Sequence, residues 1–257
     1  MRSIIATFIL IAMLALSWST QAYFGAYWNV HRLDAQGSDN AAVELALLRK
    51  GPAAFNALRR GLGDDNPFTA LRCAKLLMQM GESDGEEYLL SALKYPDPAA
   101  ENYVRMAEAS LLTAWDARNG PDENLRRQLH EVENNPARVP ETLVLFNACL
   151  NRYPAWADGY ARRARLFQQG GEALEARRDA LAALSLAPNH FEARVTLGRV
   201  ELSVDAPYLA YKSFEHALSI NPRLKPALKR DFDEASKALE IENAKRREER
   251  RKNTPIA

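Results

Sequence analysis

The sequence predicts an all-α chain, an α-solenoid of antiparallel helix hairpins that follows an N-terminal hydrophobic helix. Three observations carry that prediction. Pro154, Pro188 and Pro222 stand at intervals of 34 residues, each placed to stop a helix it cannot continue. A 3.6-residue apolar period sets in at Ala41 and persists with no convincing run of strand-like alternation. The stretch from Leu224 to Lys252 is polar except along one side, the pattern of a helix that closes a stack.

The chain opens on Arg2 and an apolar run from Ile4 to Leu16. As a helix this run reaches about 20 Å, short of a hydrocarbon core of roughly 30 Å. That length suits the apolar region of a signal peptide, and Thr20 and Ala22 follow at the spacing a signal peptidase reads. Continued through Tyr23, Phe24, Tyr27 and Trp28, the same segment reaches about 37 Å and ends in an aromatic belt. Residues 1–28 are therefore either an export signal cleaved after about Ala22 or an anchor formed by residues 4–28. Both place the body in the periplasm, or otherwise on the extracytoplasmic side of the membrane. No cysteine follows the run, which excludes a lipoprotein signal. Residues 29–40, with Asp34, Gln36, Gly37, Ser38 and Asp39, read as a linker.

Residues 41–118 form a first helical block. Ala42, Leu45 and Leu48 make one apolar stripe, ending near Gly51-Pro52; Phe55, Leu58 and Leu62 make a second. Asn66-Pro67 supplies an N-cap and a proline at the first helical position. Leu71, Ala74, Leu77 and Met78 then face a core, and Gly81 ends the helix. Asp84 opens the next, with Tyr88, Leu89 and Leu93, and Asp97-Pro98 starts another carrying Tyr103, Val104, Ala107, Ser110 and Leu111. The segments Leu71–Ala74 and Val104–Ala107, each an aliphatic residue, arginine, any residue and alanine after an aspartate-rich turn, resemble HEAT-type repeats.

Residues 119–240 form the second block. Asp122–Pro154 is a degenerate first hairpin with Phe146 and Cys149 as core positions and Thr142 where alanine would be usual. In Ala157–His190 the packing positions are Tyr160, Ala164, Phe167, Gly171, Ala176, Ala180, Ala183 and Pro188. In Phe191–Leu224 they are Leu197-Gly198, Ala210, Phe214, Ala217 and Pro222. The internal turns fall at Gly170-Gly171 and at Asp205 with Pro207. Leu228, Phe232, Ala235 and Leu239 form the apolar side of the closing helix, and residues 241–257 are a charged helix end and tail.

These hairpins resemble the tetratricopeptide repeat, whose stacked helix pairs form a concave surface that binds other proteins. The resemblance implies that the first helix of each pair lines the groove. The positions are then Asp158, Ala161, Arg162, Arg165 and Gln169; next Glu192, Val195, Thr196, Arg199 and Ser203; and in the closing helix Lys229, Arg230, Asp233 and Lys237. Arg162, Arg165, Gln169, Arg199, Ser203, Lys229 and Arg230 are the candidate partner-binding residues, fitted to a protein or peptide that carries acidic groups. The rival use of Arg165 and Arg199 is internal pairing with Asp158, Glu192 or Asp233. The lysine/asparagine clamp of some family members is missing, since Ala161 and Val195 stand where its lysine would be.

Composition narrows the alternatives. A net charge of +1 leaves no domain-sized basic face, and only residues 241–257 lean basic, with six basic residues against three acidic. That argues against nucleic acid as a partner. The basic tail could touch an anionic membrane, but mixed charge on an exposed helix explains it more simply. Cys73 and Cys149 stand alone, without the spacing of a zinc site, and are expected to be buried small hydrophobes. His130, Glu131 and Glu133 are read as a solvated helix face, His190 as a loop residue with no special role, and Trp115 and Trp156 as packing anchors. No phosphate-binding loop, nucleophile elbow or metal motif occurs, so neither catalysis nor a cofactor is expected. The expected function is a non-enzymatic scaffold or adaptor of the cell envelope, with a structural self-associating subunit as the alternative and an enzyme with an unrecognised site as a weaker one.

Overall fold

The computed structural model describes residues 25–26, 29–30, 32–33, 40–95, 97 and 100–253. Of the predicted signal or anchor only Gly25 and Ala26 fall among these. Most of the linker, His31, Pro98 and residues 254–257 also lie outside them. Every regular element among the described residues is helical. In order they are α1 (Asn40–Lys50), α2 (Phe55–Gly61), α3 (Pro67–Gln79), α4 (Ser83–Leu93), α5 (Glu101–Ala117), α6 (Glu123–Glu133), α7 (Val139–Arg152), α8 (Ala157–Gln169), α9 (Ala173–Leu186), α10 (Phe191–Ser203), α11 (Pro207–Ile220) and α12 (Lys225–Asn253). No helix among them is long and apolar enough to cross a membrane.

The chain divides into two compact units, residues 1–114 and 115–257, with the boundary inside α5. In the first unit the Asn66 side chain caps α3 by accepting from the Phe68 N–H at 3.0 Å. Leu71, Ala74, Leu77 and Met78 are fully buried, and Leu89, Leu93, Val104, Ala107, Ser110 and Leu111 are buried as expected. The α1 stripe is different from the expected one. Leu45 is 47% exposed, and the buried residues are Val43 and Leu47. Residues 41–48 are apolar all round except for Glu44, so periodicity alone leaves two faces equally plausible. Packing against Leu58, Cys73, Leu76 and Leu77 selects one of them.

In the second unit the repeat is visible in the backbone itself. The N–H groups of Tyr153, Ala187 and Asn221 donate to the carbonyls of Cys149, Ala183 and Ala217, ending α7, α9 and α11 in the same way, 34 residues apart. Next come Trp156 N–H to Tyr153 C=O, His190 to Ala187 and Leu224 to Asn221, so the three prolines occupy equivalent bends. The turns inside the hairpins match too. Gly171 has φ of +80° and Asp205 φ of +56°. The following N–H, of Glu172 or Ala206, reaches back five residues to Phe167 or Glu201, each at 2.9 Å.

The hairpins close on small residues. Ala161, Ala164, Ala180 and Ala183 are buried between α8 and α9. Between α10 and α11, a Cβ built on Gly198 would lie 2.6 Å from the Phe214 ring, so only glycine lets that ring in. Phe214 is fully buried, which by area is worth roughly 2–3 kcal/mol. In the degenerate hairpin, Thr142 is buried in the alanine position and satisfies its hydroxyl on the Arg138 carbonyl at 2.9 Å. Leu228 and Ala235 of α12 are buried against α11.

Candidate functional site

The expected groove is made from the first helices α8, α10 and α12. α8 begins after the Pro154 bend, α10 after the Pro188 bend and α12 after the Pro222 bend, so residues 34 apart recur on neighbouring helices. The seven candidate residues fall into three groups. Gln169, Ser203, Lys229 and Arg230 are exposed, and neither of the two cations is ion-paired among the described residues. Arg165 and Arg199 are 38% and 39% exposed but already paired, Arg165 with Glu133 at 3.5 Å and Arg199 with Asp231 at 2.7 Å. Neither acid is among the internal partners expected from the sequence. Arg162 departs furthest from expectation, because it is only 5% exposed and faces the interior.

Arg162 is the centre of a buried ionic cluster. Its Nε donates to Glu133 at 2.8 Å, Nη1 to Asp116 at 3.0 Å, and Nη2 lies 3.0 Å from His130 Nδ1. Asp158, one turn away on α8, is 3.7 Å from Nη1. The guanidinium also lies over the rings of Phe146 and Trp156, at 5.3 and 5.8 Å from their centroids. One planar cation thus ties α5, α6, α7 and α8 together, which a lysine point charge could not do. It cannot also reach a partner.

His190 is likewise more than a loop residue. It is fully buried, it caps α10 by accepting from the Ala193 N–H at 3.4 Å, and its ring stacks on Trp115 at 4.5 Å. With Nδ1 accepting, Nε2 carries the proton and donates to Asp158 at 3.2 Å. Both ring nitrogens are engaged, so this Asp–His pair has no free nitrogen to offer a substrate. The sequence signal for the cap was present, a residue just ahead of a helix whose side chain reaches the N–H three positions on. Histidine is outside the usual set of capping residues, which hid it.

Acids outnumber arginines in the cluster, and the titrations show it. Burial and the neighbouring Asp158 push Asp116 up to about 6, against the opposing pull of Arg162, Arg126 and His130. Burial and Asp158 also raise Glu192, which is opposed by His190 and Arg165. For Asp158 burial acts to raise the pKa, but the His190 hydrogen bond and the charge of Arg162 outweigh it and hold the carboxyl below its ordinary value. Burial works against the charge on Arg162, and Asp158, Glu133 and Asp116 more than restore it.

Among the described residues no group of three or more His, Cys, Asp or Glu side chains is placed to hold a metal. The Glu133 carboxylate is turned to Arg162 and Arg165. Both cysteines are free and buried, and burial first, then Asp64 and Glu44, push the Cys73 thiol up to about 12. Trp115 and Trp156 are buried anchors, with the Trp156 indole N–H donating to the Asp116 carbonyl at 2.9 Å. The face offers hydrogen bonds and charge at fixed positions, with Gln169, Lys229 and Arg230 exposed to use them, while the Ser203 hydroxyl donates to the Val200 carbonyl at 2.7 Å.

No family model matches this chain, and no curated protein matches it. The solved structures that match include one described as the TPR2AB-domain:pHSP90-complex of yeast Sti1. Its TM-score is 0.42 and its sequence identity 19%, over 77% of this chain and 83% of that one.

Proposed function

We propose that the second unit is a tetratricopeptide-type binding module and that the chain is a non-enzymatic scaffold of the cell envelope. In this reading it is tethered or exported through residues 1–28 and holds a segment of another protein on the face of α8, α10 and α12. The observation that carries the proposal is the 34-residue recurrence of the same terminating hydrogen bonds at Tyr153, Ala187 and Asn221, which sets first helices side by side. Stacked hairpins of this kind present an extended preformed surface, so a partner segment is ordered against a rigid wall. Acidic groups on the partner meet Lys229 and Arg230 rather than Arg162, and Arg165 and Arg199 join only by exchanging or sharing Glu133 and Asp231. The face is small, so the contact is weak or transient.

The test is photocrosslinking in cells, with a photoreactive residue at Gln169 or Ser203 on the groove face and at Arg178, which is 69% exposed on α9, as the control. The reading expects one partner band from the groove positions and none from Arg178. Equal yields everywhere would remove it. Crosslinks only to further copies of this chain would favour a self-associating structural subunit.

A further inference from the structure

A second surface lies at the end of the second unit, adjoining the groove and sharing Lys229 and Asp233 with it. α9 covers α8 and α11 covers α10, but no described element covers the corresponding side of α12. The register shows why this side is unusual. Ala164 and Gly198 are the small residues that admit a covering helix, and the next position in the series is Phe232. Its ring leans on Tyr211 at 4.9 Å and 41° and adds apolar surface to that side of α12. What remains is a trough of about 530 Å³ with Leu218, Pro222, Pro226 and Phe232 along its apolar floor.

The rim of this trough is charged in a way that does not serve the helix. Lys225 and Lys229 stand one turn apart at the start of α12, both exposed and neither ion-paired among the described residues. Like charges at that spacing repel, and cations at a helix N-terminus oppose the helix dipole. Asp233 follows one turn later on the same wall. We propose that this trough receives a helical segment of a partner protein, apolar on the face turned to Phe232 and carrying carboxylates beside Lys225 and Lys229. A helix fits because the open position is the one a second helix fills in the two preceding hairpins. Carboxylates fit because they would relieve the lysine repulsion and meet the positive end of α12. The contact is an amphipathic helix in a groove, with apolar anchors giving affinity and the rim giving orientation.

The experiment uses the full chain and two synthetic amphipathic helices labelled with fluorescein. They are identical on a leucine face but flanked by glutamates in one and by lysines in the other. Fluorescence anisotropy is expected to show the glutamate peptide binding about tenfold tighter. Lys225→Glu/Lys229→Glu reverses that order without loss of helix content, since both side chains are exposed. Phe232→Ser weakens both peptides, while the groove crosslinks at Gln169 and Ser203 persist, which separates this surface from the groove. Equal binding of the two peptides, binding of neither, or no reversal in the double variant would overturn the proposal. A concentration-dependent dimer that Phe232→Ser abolishes would also overturn it, and would assign the trough to a second copy of this chain.

Discussion

The two units reach stability by opposite arrangements of polar and apolar groups. In the first, the interior is aliphatic and the ion pairs lie at its edge or in the open. Glu44 meets Arg72 and Lys75 at 3.3 and 2.7 Å, and Arg59 meets Glu82 and Asp84 in the open. In the second, the α8–α9 contact is largely alanine on alanine, and a guanidinium with three acids is buried beside the rings of Phe146 and Trp156. Small residues bring backbones close but bury little area each, so orientation between hairpins has to come from something directional. The Arg162 cluster supplies it. A stack can therefore hold charge in its interior, provided every buried charge has its partner.

The largest expected effect breaks this contrast at its centre. Arg162→Ala leaves Glu133, Asp116 and Asp158 without their shared cation, a loss of about 3–5 kcal/mol for a broken buried pair. Urea unfolding should show the midpoint fall, and hydrogen exchange should place the loss in α6, α8 and α10. In the first unit, Arg59→Ala should leave the midpoint where it was, because solvent already screens that guanidinium. Equal effects from the two variants would mean that the buried cluster contributes no more than a surface pair.

Glycine substitution sharpens the same comparison. Gly85 lets α4 approach the α3 backbone, and an added Cβ would crowd the Ala74 carbonyl and lie 2.6 Å from Met78 N. At Gly198 the nearest atoms an added Cβ would crowd belong to the buried Phe214 ring and not to backbone, so a side chain rather than a helix has to give way. Gly85→Ala should therefore cost about 3 kcal/mol and Gly198→Ala about 1 kcal/mol, the two ends of the overpacking range, as read from thermal midpoints.

How far these contrasts could be foreseen depended on their physical origin. Helix class, hairpin bends, the cap at Asn66 and the core of α3 follow from local chemistry, so spacing and residue type sufficed. The α1 face did not, because an all-round apolar helix has no preferred side until Leu58 and Leu76 meet it. The HEAT-like character of the first block rested on a degenerate pattern, and the helices alone do not distinguish it from other stacked hairpins. At the site, exposure of Gln169 and Ser203 follows from the 34-residue register. Lys229 and Arg230 are exposed although their register equivalents Val195 and Thr196 are buried, because the stack ends at α12. Burial of Arg162 does not, since its partners Asp116 and Glu133 lie 46 and 29 residues away in sequence. Groove arginines in a single sequence look alike whether they face solvent or neighbours.

Titration offers a finer test of the ionic centre. Asp116 has a folded pKa raised to about 6, so its contribution is fully present below its unfolded value near 3.8 and is lost as pH rises through about 6. Asp158 is depressed, so its contribution is present above that unfolded value and is lost as pH falls below it. Between pH 4 and 7 the Asp116 slope should prevail, with stability falling as pH rises. Asp116→Asn should flatten the thermal midpoint across pH 5, 6 and 7. An unchanged slope would show that the carboxyl is not the group being titrated.

The smallest effect concerns the turns rather than the cores. Gly171 and Asp205 hold the same left-handed position in successive hairpins, at φ of +80° and +56°, and each is followed by the same five-residue backward hydrogen bond. An aspartate there carries a Cβ strain of about 1 kcal/mol that glycine does not, while glycine loses more chain entropy on folding. Asp205→Gly should therefore raise the thermal midpoint slightly, by less than about 1 kcal/mol in stability. Gly171→Val should lower it, because a β-branched residue suits that conformation worst. If Asp205→Gly were destabilising instead, the aspartate would be retained for a contact its turn geometry does not reveal, and the equivalence of the two turns would be one of backbone only.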